Sequence, residues 1–252
     1  MSGVAELKAA LDPVRFAESV GVVPDLWQAE FLRSTSDRLL LNCSRQSGKS
    51  TLSSIMALHR ALYHPESLVL LLAPALRQSQ ELFAKLFGFY SDLGEPLKKF
   101  GERRLSLELS NGSRIVTLPG SEKTIRGYSG VSLLILDEAA RIEDPLYYSV
   151  RPMLAVSGGR IALLSTPFGK RGVFYDEWME GSGWHKFEVP ATECPRISAA
   201  FLQEERESLG DWWYEQEYMC KFKENVDSVF SSALIEEAMS DDVEPLFAEG
   251  ER

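Results

Sequence analysis

Cys43-Ser44-Arg45-Gln46-Ser47-Gly48-Lys49-Ser50-Thr51 follows the apolar run Leu39-Leu40-Leu41 and precedes Thr51–Tyr63, a segment that reads as a helix. Apolar strand, loop with Gly-Lys-Ser, then helix is the layout of a phosphate-binding P-loop. The usual pattern is G-x-x-x-x-G-K-[ST]. Here the second glycine, the lysine and the hydroxyl are present, Cys43 stands where the first glycine would be, and Arg45 lies inside the loop. The physical requirements are backbone N–H groups at a helix N-terminus, a lysine for the β/γ-phosphates and a hydroxyl for Mg²⁺. All three survive the departure.

The segments outward from this loop alternate. Residues 12–20 and 25–34 read as helices, introduced by Asp12-Pro13 and Pro24-Asp25. Arg38–Asn42, Ser67–Ala73, Ser132–Leu136, Arg160–Ser165 and Trp184–Val189 read as strands, most of them short and wholly apolar. Leu76–Tyr90 reads as a helix with Leu82, Phe83, Leu86 and Phe89 on one face. Arg104–Leu109 and Ser113–Leu118 flank Asn111-Gly112, a hairpin signal. Ala199–Leu209 and Trp212–Phe222 read as helices, and after Phe230 the chain turns acidic. Apolar strands separated by helices predict an α/β fold with a mainly parallel central sheet covered on both faces. In such sheets ligands bind at the carboxyl ends of the strands, where the P-loop falls.

Composition bounds the rest. The 252 residues are 44% apolar, enough for one large domain or two small ones. No apolar run approaches the ~20 residues that span a bilayer, and the N-terminus lacks the apolar stretch of a signal peptide. Cys43, Cys194 and Cys220 are widely spaced and form no C-x-x-C pair, which argues against a disulfide framework or structural zinc site. A net charge of −10 argues against a chain coated in basic charge for indiscriminate nucleic-acid binding, though a local patch would suffice for contact. Lys98-Lys99, Arg103-Arg104 and Lys170-Arg171 are the candidate phosphate-neutralising pairs, or else solvated charge. No set of carboxylates resembles a two-metal nuclease site.

Leu133-Leu134-Ile135-Leu136-Asp137-Glu138 is an apolar strand that ends in two carboxylates. Downstream of a Gly-Lys-Ser loop it reads as a Walker B element, with Asp137 in the Mg²⁺ shell and Glu138 polarising the attacking water. Ser165-Thr166-Pro167 ends the next strand; Thr166 would bond the water or γ-phosphate, or simply cap the strand. Gln28 beside Trp27 offers an amide to an adenine edge, or is a polar neighbour of a core tryptophan. Arg126, in Thr124-Ile125-Arg126-Gly127-Tyr128, is a candidate for stabilising charge on a neighbouring subunit's nucleotide, or a structural ion pair.

On RQSGKS at 45–50, LLILDEAA at 133–140, STP at 165–167 and WYEQEYMCKF at 213–222, the chain resembles the N-terminal ATPase domain of the large terminase subunit of tailed bacteriophages. The resemblance implies an ASCE-type P-loop NTPase with a small C-terminal lid. It implies ATP hydrolysis that drives double-stranded DNA into a procapsid, in the cytoplasm of an infected bacterium. It also implies a homo-oligomeric ring, usually a pentamer, that is monomeric in isolation, with the phage portal protein and the small terminase subunit as partners and no membrane. Carried across, Gln46, Ser47, Gly48, Lys49, Ser50 and Thr51 form the phosphate loop for ATP, and Gln28 is the adenine position. Arg45 is the P-loop arginine and acts with Glu138, Thr166 and a trans-acting Arg126 in catalysis. Ser50 and Asp137 hold Mg²⁺. Residues 1–210 would be the ATPase core and 211–252 a lid and linker toward a nuclease domain that this chain does not contain. Two rivals stand beside this reading. A helicase-like enzyme needs a second RecA-like lobe for which 252 residues leave no room, and a non-catalytic docking module would not need Lys49, Asp137 and Glu138.

Overall fold

The computed structural model describes residues 3–103, 105–120, 125 and 127–224. Three helices, α1 (Gly3–Leu11), α2 (Pro13–Ser19) and α3 (Leu26–Arg33), precede the first strand. The chain then runs β1 (Arg38–Cys43), α4 (Lys49–Tyr63), β2 (Leu68–Ala73), α5 (Leu76–Asp92), β3 (Lys99–Arg103), β4 (Ser106–Leu109), β5 (Arg114–Pro119) and β6 (Val131–Asp137). It continues through α6 (Asp144–Val150), β7 (Arg160–Ser165), α7 (Gly172–Met179), β8 (His185–Val189) and α8 (Ala199–Glu217).

The strands form one sheet in the order β3-β4-β5-β2-β6-β7-β1-β8. From β5 to β8 every pairing is parallel; β3 and β4 extend the β5 edge antiparallel. β7 is inserted between the P-loop strand and the strand that ends in Asp137, the order expected of an ASCE-type P-loop fold. The register sets the site: Asn42 lies opposite Ser165, and Asp137 opposite Leu164. The ends of β1, β7 and β6 therefore reach one level.

Alternation along these strands feeds two cores. Leu39, Leu41, Val69, Leu71, Leu133, Ile135 and Leu164 face α4, α5 and the N-terminal helices, while Leu40, Leu70, Leu72, Leu134, Leu136 and Leu163 face α6 and α7. Burial on both faces is why these strands carry continuous runs of leucine. No helix among the described residues is long and apolar enough to cross a membrane.

Three expectations change. The hairpin around Asn111-Gly112 forms, but its first strand pairs on its far side with β3, whose charged sequence gives no strand signal. Helices α6 and α7, which cover the second face of the sheet as expected, lie in segments where periodicity marks no helix. The segment expected to be helical to Phe222 ends at Glu217. Gly210 (φ 76°, ψ 161°) breaks α8 internally, and Cys220 (φ 58°) turns the chain back toward the sheet. There the Cys220 carbonyl accepts from Asn42 Nδ2 at 2.9 Å, and the Phe222 ring packs at tilted and edge-on angles among Phe174, Tyr175 and Trp178. Continuing the helix would forfeit these tertiary contacts.

Candidate active site

The loop after β1 is held by its carbonyls. Ser47 O accepts from Gln28 Nε2 (3.0 Å) and Arg196 Nη2 (2.9 Å). Ser44 O accepts from Ser47 Oγ (2.9 Å) and Lys49 Nζ (3.2 Å). Gly48, the residue before α4, has φ 99° and supplies no side-chain cap. A Cβ at this position would sit 2.9 Å from Gln28 Nε2, so both backbone angle and space favour glycine. The first amides of a helix have no intrahelical acceptor, and with the macrodipole they form an anion cradle.

Two carboxylates close the site from β6. Asp137 is buried, accepts from Ser50 Oγ at 2.8 Å through Oδ2, and leaves Oδ1 buried with no hydrogen bond among the described residues. Burial, then repulsion from Glu138, raises its carboxyl to a pKa of about 6, against the pull of Ser50 and Lys49. Glu138 takes a left-handed backbone (φ 54°), a conformation costly for a non-glycine residue. Its carboxylate lies between Lys49 Nζ (3.7 Å) and Arg141 Nε (4.0 Å). Burial opposes the charge of Lys49, but Cys43, Glu138 and Asp137 outweigh it and raise the ammonium's pKa.

A divalent cation fits this donor set. Asp137 and Ser50 present hard oxygen atoms, and the unpartnered Asp137 Oδ1 lacks a partner that a cation would provide. Among the described residues no cluster of three or more His, Cys, Asp or Glu could hold a metal alone. Mg²⁺ does not need one, because it is bound through one or two protein oxygens plus phosphate and water.

The remaining expected residues fall around this centre. Thr166 is buried at the end of β7, and Ser165 Oγ donates to its carbonyl (2.7 Å) while accepting from Ala140 N (3.1 Å). Thr51 Oγ1 accepts from Lys85 Nζ at 3.4 Å. A cleft of about 480 Å³ adjoins Ser50, Asp137 and Glu138 and is bounded on its far side by Arg77, Gln78, Glu81 and Lys85 of α5. Gln28 is buried beside the loop with both ends of its amide engaged, Oε1 accepting from Asp25 N (3.0 Å). Arg45 is largely exposed and points to Glu217. Arg126 lies outside the described residues. Of the basic pairs, Lys99 is ion-paired with Glu95 and Lys170 with Glu224. Cys43, Cys194 and Cys220 are free, buried thiols, and burial pushes that of Cys43 up to about 11.

Sequence reasoning assigns no site role to Arg141, Arg196, Gln216 or Glu217, although the last two lie within WYEQEYMCKF at 213–222. Glu217 is buried, with Oε2 3.6 Å from Arg45 Nε and Oε1 3.8 Å from Arg141 Nη2. Its carbonyl accepts from Arg45 N (3.0 Å), and Gln216 Oε1 accepts from Gly169 N (3.3 Å) just past Ser165-Thr166-Pro167. The available signal was a Gln-Glu pair embedded in an aromatic-rich helix.

A family model described as terminase large subunit, T4likevirus-type, N-terminal, matches residues 40–237. The large terminase subunits of Thermus phage G20c and Thermus virus P23-45 are each 28% identical over 254 residues, covering 86% of this chain. The chain spans about half the length, 52%, of these curated relatives. The large terminase ATPase domain of Thermus phage P74-26 superposes with a TM-score of 0.74 at 24% identity, covering 83% of this chain and 98% of that domain. The large terminase of bacteriophage D6E, solved with ATP-γ-S, gives a TM-score of 0.65 at 12% identity over 79% of this chain and 52% of its own. The model match runs through the phosphate loop, the Asp137-Glu138 strand and the Gln216-Glu217 helix, and the chain belongs to the terminase large subunit family, with the fold of its N-terminal ATPase domain.

Proposed function

We propose that this chain is the motor domain of a phage packaging terminase, hydrolysing ATP to move double-stranded DNA into a procapsid. The observation that carries the reading is the convergence of Lys49 and Ser50, at the start of the helix after β1, with Asp137 and Glu138, at the end of β6, two strands separated by β7. The loop amides of Gln46 to Ser50, the Lys49 ammonium and Thr51 hold the phosphates. Ser50 and Asp137 hold Mg²⁺, which when bound neutralises phosphate charge. Glu138, held between two cations, orients and deprotonates the attacking water. Arg45 reaches the γ-phosphate, Thr166 senses it from β7, and Gln28 keeps one donor and one acceptor position for adenine.

The same family supports a ring, commonly a pentamer, assembled on the portal protein with the small terminase subunit in the host cytoplasm. Arg126 of one subunit then completes the site of the next. Residues 211–252 act as a lid and linker, and the described part is tied to the site through Arg45 N and Ala191 N, which donate to Glu217 O and Tyr218 O.

The test is ATP turnover across protein concentration for wild type, Glu138→Ala, Arg126→Ala and a mixture of the two variants. Glu138→Ala is expected to lose about 10²–10⁴-fold in turnover while still binding nucleotide. The mixture should recover activity that neither variant has alone. Wild-type turnover in Glu138→Ala overturns the catalytic assignment.

A further inference from the structure

The phosphate loop lies at the carboxyl ends of the strands, and a second hollow lies at the other end of the sheet. It is a cavity of about 370 Å³ between the α1–α2 junction, the end of α3, the last turns of α4 and the start of β7. Three arginines border it. Arg33 is matched by Asp12, whose two carboxylate oxygens accept from Nε at 3.1 Å and Nη2 at 2.7 Å. Arg160 donates through Nε and Nη2 to the carbonyls of Ser34 and Ser36 at 2.8–3.1 Å, and Asp37 supports its charge. Arg60 has no such match. Its Nε is buried with no hydrogen-bond partner among the described residues, and burial lowers its pKa with no carboxylate among them to raise it. A charge withdrawn from water is ordinarily paired. The simplest structural use, a cation on the last carbonyls of α4, is already served by other groups. Asn111 Nδ2 donates to Ala61 O (2.8 Å) and Leu62 O (3.4 Å), and Ser113 Oγ donates to His64 O (3.1 Å). The two histidines at the cavity add no charge at pH 7, since burial lowers the pKa of both His59 and His64.

The walls narrow the choice of ligand. Leu32, Met56 and Leu133 make part of the lining apolar, and Leu11, also in the lining, is 77% exposed. Leu7 (60%) and Val4 (67%) continue from Leu11 along one face of α1. An exposed apolar strip therefore leads to a cavity whose unmatched group is a guanidinium. A free phosphate makes no use of such walls, and a wholly apolar partner would leave Arg60 unpaired. The net charge of −10 does not bar an acidic ligand, because exposed charges beyond about 8 Å are screened at physiological salt.

We infer that this face docks an acidic, aliphatic peptide segment of a partner protein, with its aliphatic side chains along Val4, Leu7 and Leu11 and a carboxylate on Arg60. A carboxylate is planar and matches the guanidinium fork, so it supplies the acceptor that Arg60 lacks. The aliphatic neighbours cover surface on α1 that otherwise stays in water. Arg60 lies about 16 Å along α4 from Lys49, so a docked segment leaves the phosphate loop open.

The experiment uses the full chain and a blocked, fluorescent octapeptide of alternating leucine and glutamate, with binding read by anisotropy. A second probe carries glutamine in place of glutamate. Wild type should bind the glutamate peptide about tenfold more tightly than the glutamine peptide, the scale of one charge-assisted hydrogen bond. Arg60→Gln should lose that advantage and bind the glutamine peptide as wild type does. It should also melt no lower than wild type, since it removes an unpaired charge, and keep its affinity for ATP-γ-S. Leu7→Ser, a change on exposed surface, should weaken both peptides alike by about two- to fivefold. Equal affinity of wild type for the two peptides, or no saturable binding of either, overturns the inference. Inorganic phosphate that displaces the peptide from wild type but not from Arg60→Gln makes phosphate the ligand and overturns it as well. Self-association of wild type that Arg60→Gln abolishes makes a second copy of the chain the occupant, and the peptide reading falls.

Discussion

Two strand-to-helix crossings on the same face of the sheet, β1 to α4 and β2 to α5, share a plan and differ in how the helix starts. Between β2 and α5 only Pro74 and Ala75 intervene, and Gln78 Oε1 reaches back to the Ala75 amide at 3.1 Å. That is half of a capping box, and the helix start is served by its own side chain. Between β1 and α4 five residues, Ser44 to Gly48, make a wide turn, and Gly48 offers no side chain to the helix behind it. Gln28 reaches back to the Asp25 amide as Gln78 does to Ala75, but its other end holds the phosphate loop by Ser47 O. One crossing is closed and structural. The other withholds a cap, and the cost is carried by Gln28 and Arg196, which brace it from outside.

The sharpest way to break this contrast is to spoil the open turn. Gly48→Ala places a Cβ 2.9 Å from Gln28 Nε2 at a backbone angle of φ 99°. Strain of this kind costs roughly 2–4 kcal/mol. The expected result is a thermal midpoint lower by about 5–10 °C and loss of ATP-γ-S binding. A variant that melts and binds as wild type does would show that the turn does not depend on Gly48.

What was legible in the sequence follows the same division. β1, β2, β6 and β7 announce themselves because burial on both faces demands apolar side chains at nearly every position, as in Leu68–Ala73. Lys49, Ser50, Asp137 and Glu138 were legible because each lies next to a strand end that the sequence locates. Arg141 and Glu217 were not, since their partners are chosen by how α8 folds back, and that return depends on Gly210, Cys220 and the Asn42 bond. β3 was hidden because an edge strand needs no apolar face, and Lys99-Phe100-Gly101-Glu102-Arg103 has no period-2 pattern.

The second prediction separates the site from the scaffold by pH. The Asp137 carboxyl has its pKa raised from 3.8 to about 6, chiefly by burial. Below about pH 4 both folded and unfolded chains hold that proton, and the group contributes no stability difference. Between about pH 4 and 6 the unfolded chain releases it first, so stability falls as pH rises. Above pH 6 the penalty is full, about 3 kcal/mol for a shift of about two pH units. Asp137→Asn, without Mg²⁺, should therefore be stabilised by about that amount at pH 8 and hardly at all at pH 4. Equal gains at both values would trace the effect to packing rather than charge.

The smallest effect is the most discriminating. Gln78→Ala removes one cap bond from α5, a loss of about 0.5–1 kcal/mol, and its crossing borders the cleft without holding the phosphate loop. ATP-γ-S affinity should stay as in wild type. Gln28→Ala removes the equivalent bond at Asp25 together with the brace on Ser47 O. It should lose a similar amount of stability, somewhat increased by the Ser47 bond, and in addition weaken ATP-γ-S binding. The two glutamines make the same backbone contact at three residues' separation, so the difference between the variants gives what the Ser47 brace and the proposed adenine contact add together. If Gln78→Ala weakens binding as much as Gln28→Ala does, the two crossings respond as one unit. The distinction between a closed start and an open one then has no functional content.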